Sequence, residues 1–133
     1  MLTESVIPYS LAGVLIQRWE AYMLQLSVSQ AWAVLVLAGI LEVIWATGMK
    51  ATEGFTRLWP SISVTLVALA SFYLLGLAMK TLPVGTAYAV WVGIGAAGTA
   101  LAGMVLYQEP ASVMRLMCLL LIVAGVVGLK WWH

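Results

Sequence analysis

Glu42 is the only charged residue between Ala21 and Met49, in a stretch that otherwise reads as a membrane-spanning helix. At ~1.5 Å of rise per residue it lies roughly 15 Å from Trp32 and 12 Å from Lys50. That depth is near the centre of a hydrocarbon core ~30 Å thick. A carboxylate there costs about 2.5–3.5 kcal/mol on insertion scales, so it marks a functional site unless it merely bonds packed helices together. Gly39 and Trp45 stand three residues to either side and share its stripe of the helix. Gly39 leaves room for close approach, and Trp45 brings an aromatic wall and an indole N–H donor. Farther along, Tyr88 and Trp91 are also three apart, and Ser71 is a polar residue inside an apolar run that could hydrogen-bond a carboxylate. Each has a plainer reading. Membrane Trp and Tyr anchor helices at the interface, a role that suits Trp131 and Trp132, and a membrane serine often bonds its own helix backbone.

Withdrawal from water favours the neutral form of a carboxyl group, so such a group keeps its proton until a cation replaces it. A site that holds a proton or a cation, but not both, couples their movements in opposite directions. That is antiport.

Composition supports a chain that lives in lipid. Of 133 residues, 64% are hydrophobic and 8% charged, against about 25% charged in a soluble domain; mean hydropathy is +1.05. A net charge of +1 without a basic stripe excludes a nucleic-acid partner. Cys118 is the single cysteine and His133 the single histidine, so neither an internal disulfide nor a metal cluster is expected. No second catalytic group is placed to work with Glu42, which makes an enzyme the least supported class, and no cofactor is expected.

The elements that must position these residues are four hydrophobic spans: about Trp32–Met49, Leu58–Met79, Thr86–Tyr107 and Ser112–Leu129. Charge, proline and glycine in the links stop each helix. Links this short force antiparallel neighbours, giving an all-α membrane protein of up-down-up-down topology. Residues 1–29 form an N-terminal extension before a four-helix domain over 30–133. In the extension Leu11, Leu15, Trp19, Tyr22 and Leu26 fall at helical spacing, as in an interfacial amphipathic helix. The plainer expectation is an upstream start with Met23 as an internal alternative and no essential role for the segment. No positive region precedes a compact apolar run, so a secretory signal is not expected.

Cations are balanced across the links. Arg18, Lys80 and Lys130 fall on one side, and Lys50, Arg57 and Arg115 on the other. The positive-inside rule therefore fixes no orientation. Such a chain could insert both ways and pair with a second copy as an antiparallel, dual-topology homodimer. In the fourth span Ala124 and Gly128, with Gly125 alongside, suit close helix packing and are candidates for the dimer seam. In the third, Gly93, Gly95 and Gly98 permit either tight packing or a kink.

These residues together resemble the small multidrug resistance family of four-helix, proton-coupled exporters. The likeness runs from about Gln30 to Leu129. It is strongest over Lys80-Thr81-Leu82-Pro83-Val84-Gly85-Thr86-Ala87-Tyr88-Ala89-Val90-Trp91. With Gly39-Ile40-Leu41-Glu42-Val43-Ile44-Trp45, that block is more similar to the guanidinium-exporting branch than to the multidrug branch. The resemblance implies a dual-topology homodimer in a bacterial inner membrane, with Glu42 binding substrate and protons competitively. It implies that Trp45 separates the two branches, that Ser71, Tyr88, Trp91 and Gly39 complete the pocket, and that Gly93 and Gly95 form a hinge. Val92 departs from the branch, which has a hydroxyl residue there. The substrate so implied is guanidinium or a small guanidinyl cation, whose paired N–H donors fit a carboxylate fork. Hydrogen bonds from Ser71 and Trp45 would then fix the Glu42 rotamer, and the aromatic residues would stack on the flat ion. The alternatives are a quaternary-ammonium or polyaromatic-cation exporter of the same family and a non-transporting membrane subunit.

Overall fold

The computed structural model describes residues 10–22 and 26–132; Met23 and His133 lie outside the described residues. Helix α1 spans Leu11–Tyr22. Leu26, which shares its apolar spacing, falls beyond it because the chain starts a new helix at Ser27. There Ser27 Oγ accepts from Gln30 N at 3.2 Å while Gln30 Oε1 accepts from Ser27 N at 3.0 Å. This reciprocal cap satisfies two orphan donors and starts α2, Val28–Gly48, four residues before the apolar run suggests. It also carries α2 across the expected boundary at residue 30.

A 3-10 turn over Met49–Thr52 extends α2, and left-handed backbone at Glu53, Gly54 and Phe55 then reverses the chain. Helix α3 is Leu58–Ala78; Pro60 is tolerated because its missing N–H falls in the first turn. Helix α4, Val84–Leu106, follows Pro83. Helix α5, Val113–Trp131, is capped by Ser112 Oγ on Arg115 N at 3.2 Å. No strand occurs among the described residues.

Side-chain contacts fix the directions. Ser71 of α3 bonds Ala38 of α2, and Gly48 meets Val64, so α3 runs antiparallel to α2. Gly39 meets Ile94, Glu42 meets Gly95, and Val43 meets Gly98, so α4 runs parallel to α2. Gly93 meets Val126, and the Lys130 ammonium lies 5.7 Å from the Trp32 ring centroid, so α5 returns antiparallel. This is the up-down-up-down order expected from the short links.

Helix α2 is the centre of the bundle, between α3 and α4. Its Ala31, Trp32, Leu35 and Ala38 pack with Leu75 and Ala78 of α3, Leu82, and Ala87, Val90 and Trp91 of α4. Small residues at these crossings let backbones approach closely, the usual source of helix association where lipid offers no hydrophobic contrast. Helix α5 packs chiefly on α4, reaches α2 through the Lys130–Trp32 contact, and contributes no buried residue. The four long helices, counting the turn with α2, have 25, 21, 23 and 19 residues, each long and apolar enough to cross a membrane. Their outward faces carry exposed Leu37, Ile40, Leu66, Leu69, Leu101 and Leu121, as a hydrocarbon solvent requires.

Candidate functional site

Glu42 occupies the α2–α4 crossing, and its carboxylate rests directly on Gly95. A Cβ at residue 95 would stand 2.8 Å from Glu42 Oε1 and closer still to Oε2. Gly95 is therefore the floor on which the carboxylate lies. Gly93 and Gly98 do the same for Val126 and Val43. Helix α4 is continuous through all three, so of the two readings open to this glycine run, tight packing describes the present conformation.

Among the described residues, Glu42 Oε2 and Trp45 Nε1 are buried and find no hydrogen-bond partner. Buried polar atoms are almost always paired.

Ser71 departs from its expected role. Its hydroxyl donates to Ala38 O at 2.7 Å and accepts from Trp91 Nε1 at 3.0 Å, so it holds the Trp91 ring rather than the Glu42 carboxylate. Its place on α3 opposite α2 and α4 makes it the buried link of all three helices. Replacing Ser71 with Ala should leave the Trp91 N–H buried and unpaired, at about 1–3 kcal/mol. A lowered thermal midpoint of the purified protein checks this; an unchanged midpoint would mean the bond carries nothing.

Trp91 in turn anchors a row of rings. Tyr88 and Trp91 have centroids 5.7 Å apart, Trp91 and Phe72 also 5.7 Å, and Phe72 and Trp45 6.0 Å in an edge-on arrangement. The row connects α4, α3 and α2 and brings together Trp45, Ser71, Tyr88 and Trp91. Phe72 is the member that sequence reasoning missed; its position next to Ser71 was the available signal. Tyr88 is more than half exposed, at the outer end of the row beside the buried Trp91. Gly39 is buried against Ile94 and serves helix approach rather than the Glu42 carboxylate directly.

A cleft of about 420 Å³ opens from Glu42 between α2 and α4, lined by Ala46, Val92, Gly95, Thr99, Glu109 and Arg115 among others. Val92 lines it with an apolar side chain. Ala124 and Gly125 are exposed, and nothing lies within 4 Å of a Cβ placed at Gly125 or Gly128. Among the described residues, the small-residue face of α5 therefore packs on no other helix.

Four helices long and apolar enough to cross a membrane, a carboxylate near the middle of α2 and a row of rings joining α2, α3 and α4 define a multi-pass helical membrane protein. The description of the Small Multidrug Resistance protein matches residues 30–122, and the chain belongs to that family. It is 62% identical over 101 residues to a guanidinium exporter of Yersinia pseudotuberculosis, covering 75% of this chain and 96% of that protein. It is 57% identical over 100 residues to a guanidinium exporter of Escherichia coli strain K12, and 58% identical over 100 residues to one of Citrobacter freundii; each match covers 75% of this chain and 95% of the relative. With its four spanning helices, the chain is a multi-pass protein of the bacterial inner membrane.

Proposed function

We propose that this protein exports guanidinium and small guanidinyl cations in exchange for protons, with the two competing for Glu42. The observation that carries the reading is the buried, unpartnered Glu42 oxygen at the head of a cleft within the membrane span. An acceptor of this kind is costly when empty and charged, and it is satisfied by either a proton or a donor-rich cation. Guanidinium is flat and weakly hydrated, and suits both a carboxylate and the ring row Trp45–Phe72–Trp91–Tyr88. Substrate names borne by relatives at 57–62% identity support the same choice.

The site is completed by a second copy in the opposite orientation, so that two Glu42 carboxylates face one ion. The balanced cations and the unpacked Ala124–Gly128 face of α5 support this dimer. Two lysines added to the Lys50–Arg57 link should bias insertion and remove most activity of the chain expressed alone, with recovery on co-expression of an oppositely biased copy. Full activity of the biased chain by itself would remove dual topology. Gly93 and Gly95 would let α4 exchange conformations between the two faces of the membrane.

Competition has a clear signature. Below the midpoint of carboxyl protonation, each bound ion must displace a proton, so apparent guanidinium affinity should weaken by about tenfold per pH unit when one proton is displaced. Tryptophan fluorescence of the purified protein titrated with guanidinium at stepped pH measures this. An affinity independent of pH overturns proton competition, and tighter binding of bulky aromatic cations than of guanidinium shifts the assignment to the multidrug branch.

A further inference from the structure

The cleft that begins at Glu42 ends at a second carboxylate. Glu109 and Arg115 line the same 420 Å³ space, and Arg115 Nη2 donates to Glu109 Oε2 at 2.6 Å while its Nη1 donates to Pro110 O at 3.1 Å. Glu109 is seated as Glu42 is: a Cβ at Gly103 would lie 2.8 Å from Glu109 Oε2. Gly95, Thr99 and Gly103 follow one another at four-residue steps, so they share one face of α4 at roughly 6 Å intervals along its axis. Between the two carboxylates the Thr99 hydroxyl is buried and, among the described residues, unpartnered.

We propose that Glu109 is an outer guanidinium-binding station at the mouth of this cleft, held by the Arg115 guanidinium until a free guanidinium ion displaces it. Arg115 presents to Glu109 the same planar donor group as the transported ion. The carboxylate is thus already bonded to the chemistry it would receive. Both side chains are partly open to solvent, at 33% and 40%. An ion pair of that exposure is screened and exchangeable, so a free ion can compete for it. Thr99 offers an acceptor midway, and Glu42 Oε2 is the unpaired acceptor at the inner end. Glu109 selects guanidinyl cations at entry or exit, and Arg115 refills the station once the ion has moved on.

This inference rests on guanidinium being the transported ion, and the test separates the two claims. Binding of radiolabelled guanidinium to the full chain in detergent is measured by equilibrium dialysis at constant ionic strength, alongside ¹⁵N NMR of the arginine side chains. The chain has three arginines, Arg18, Arg57 and Arg115, so the Arg115 signal can be assigned by one substitution. In Glu42→Gln protein the inner site is removed. Residual binding should then tighten by about tenfold on adding Arg115→Ala, as expected when one charge-assisted competitor is lost, and disappear on adding Glu109→Gln. In Glu42→Gln protein with Arg115 intact, the Arg115 side-chain signal should shift with guanidinium and not with sodium. If wild type binds guanidinium but Glu42→Gln/Arg115→Ala protein does not, or if the Arg115 signal stays fixed, the pair is only a staple of the α4–α5 link and the proposal is wrong. If wild type itself binds no guanidinium, the function reading fails and this inference fails with it.

Discussion

Glu42→Gln should reduce coupled guanidinium transport to the rate of protein-free vesicles while leaving the protein folded and in its wild-type oligomeric state. The amide preserves shape, so the packing of α2 against Gly95 and the neighbouring Val43–Gly98 contact survive. The loss is of charge and of the titratable proton. A neutral amide removes the ionic half of the pairing with a guanidinium, worth roughly 1.5–3 kcal/mol for a charge-assisted bond, and it cannot exchange a proton at any working pH. The second loss is absolute, which is why the effect exceeds an affinity change. Size-exclusion behaviour like wild type, together with absent flux, is the expected pair of results. Proton-linked efflux retained in the variant would remove Glu42 from the mechanism.

The second large effect is expected at Gly95. An added Cβ would collide with both carboxylate oxygens of Glu42, the group to which the ion and the proton are proposed to bind. The carboxylate must rotate away from its floor. Displacement of a reacting group by about 1 Å commonly costs about 100-fold in rate, and a loss of that order in guanidinium flux is expected for Gly95→Ala. Two companion changes separate this from helix flexibility. Gly93→Ala meets a Val126 methyl on α5 instead, so it disturbs packing away from the carboxylate. Gly76→Ala meets nothing within 4 Å and serves as a control for alanine in a membrane helix. If flux falls equally for Gly95→Ala and Gly93→Ala, the seat for Glu42 adds nothing to the proposed hinge role that the two glycines share.

The architecture was largely legible in the sequence, because a bilayer demands long apolar runs and interrupts them only with polar links. The depth of Glu42 followed from the same counting. Helix starts were less legible: the Ser27–Gln30 cap lies in polar residues that read as a boundary. The partner of Ser71 was not legible at all. Its hydroxyl reaches Ala38, 33 residues away, and the Trp91 indole, 20 residues away, and nothing local in the sequence decides between those groups and the carboxylate. Phe72 was hidden for a related reason, since its one local signal, the neighbouring Ser71, says nothing of the rings it meets until α2 and α4 are placed beside it. Gly95 was visible as a glycine, but glycine in a helix reads equally as a hinge or as space. Only the position of Glu42 shows which role this conformation uses. Glu109 and Arg115 read simply as charges that end helices, and their shared cleft with Glu42 emerges only when the α4–α5 link folds back.

The central claim, exchange of guanidinium for protons, is tested most directly by proton movement in proteoliposomes. Purified protein is reconstituted into vesicles containing a pH-sensitive dye, and an inward guanidinium gradient is imposed without a pH gradient. The account predicts that the lumen loses protons as guanidinium enters, with no response when sodium replaces guanidinium. Guanidinium entry without any change in lumenal pH would contradict it, because the ion would then cross without displacing a proton from Glu42.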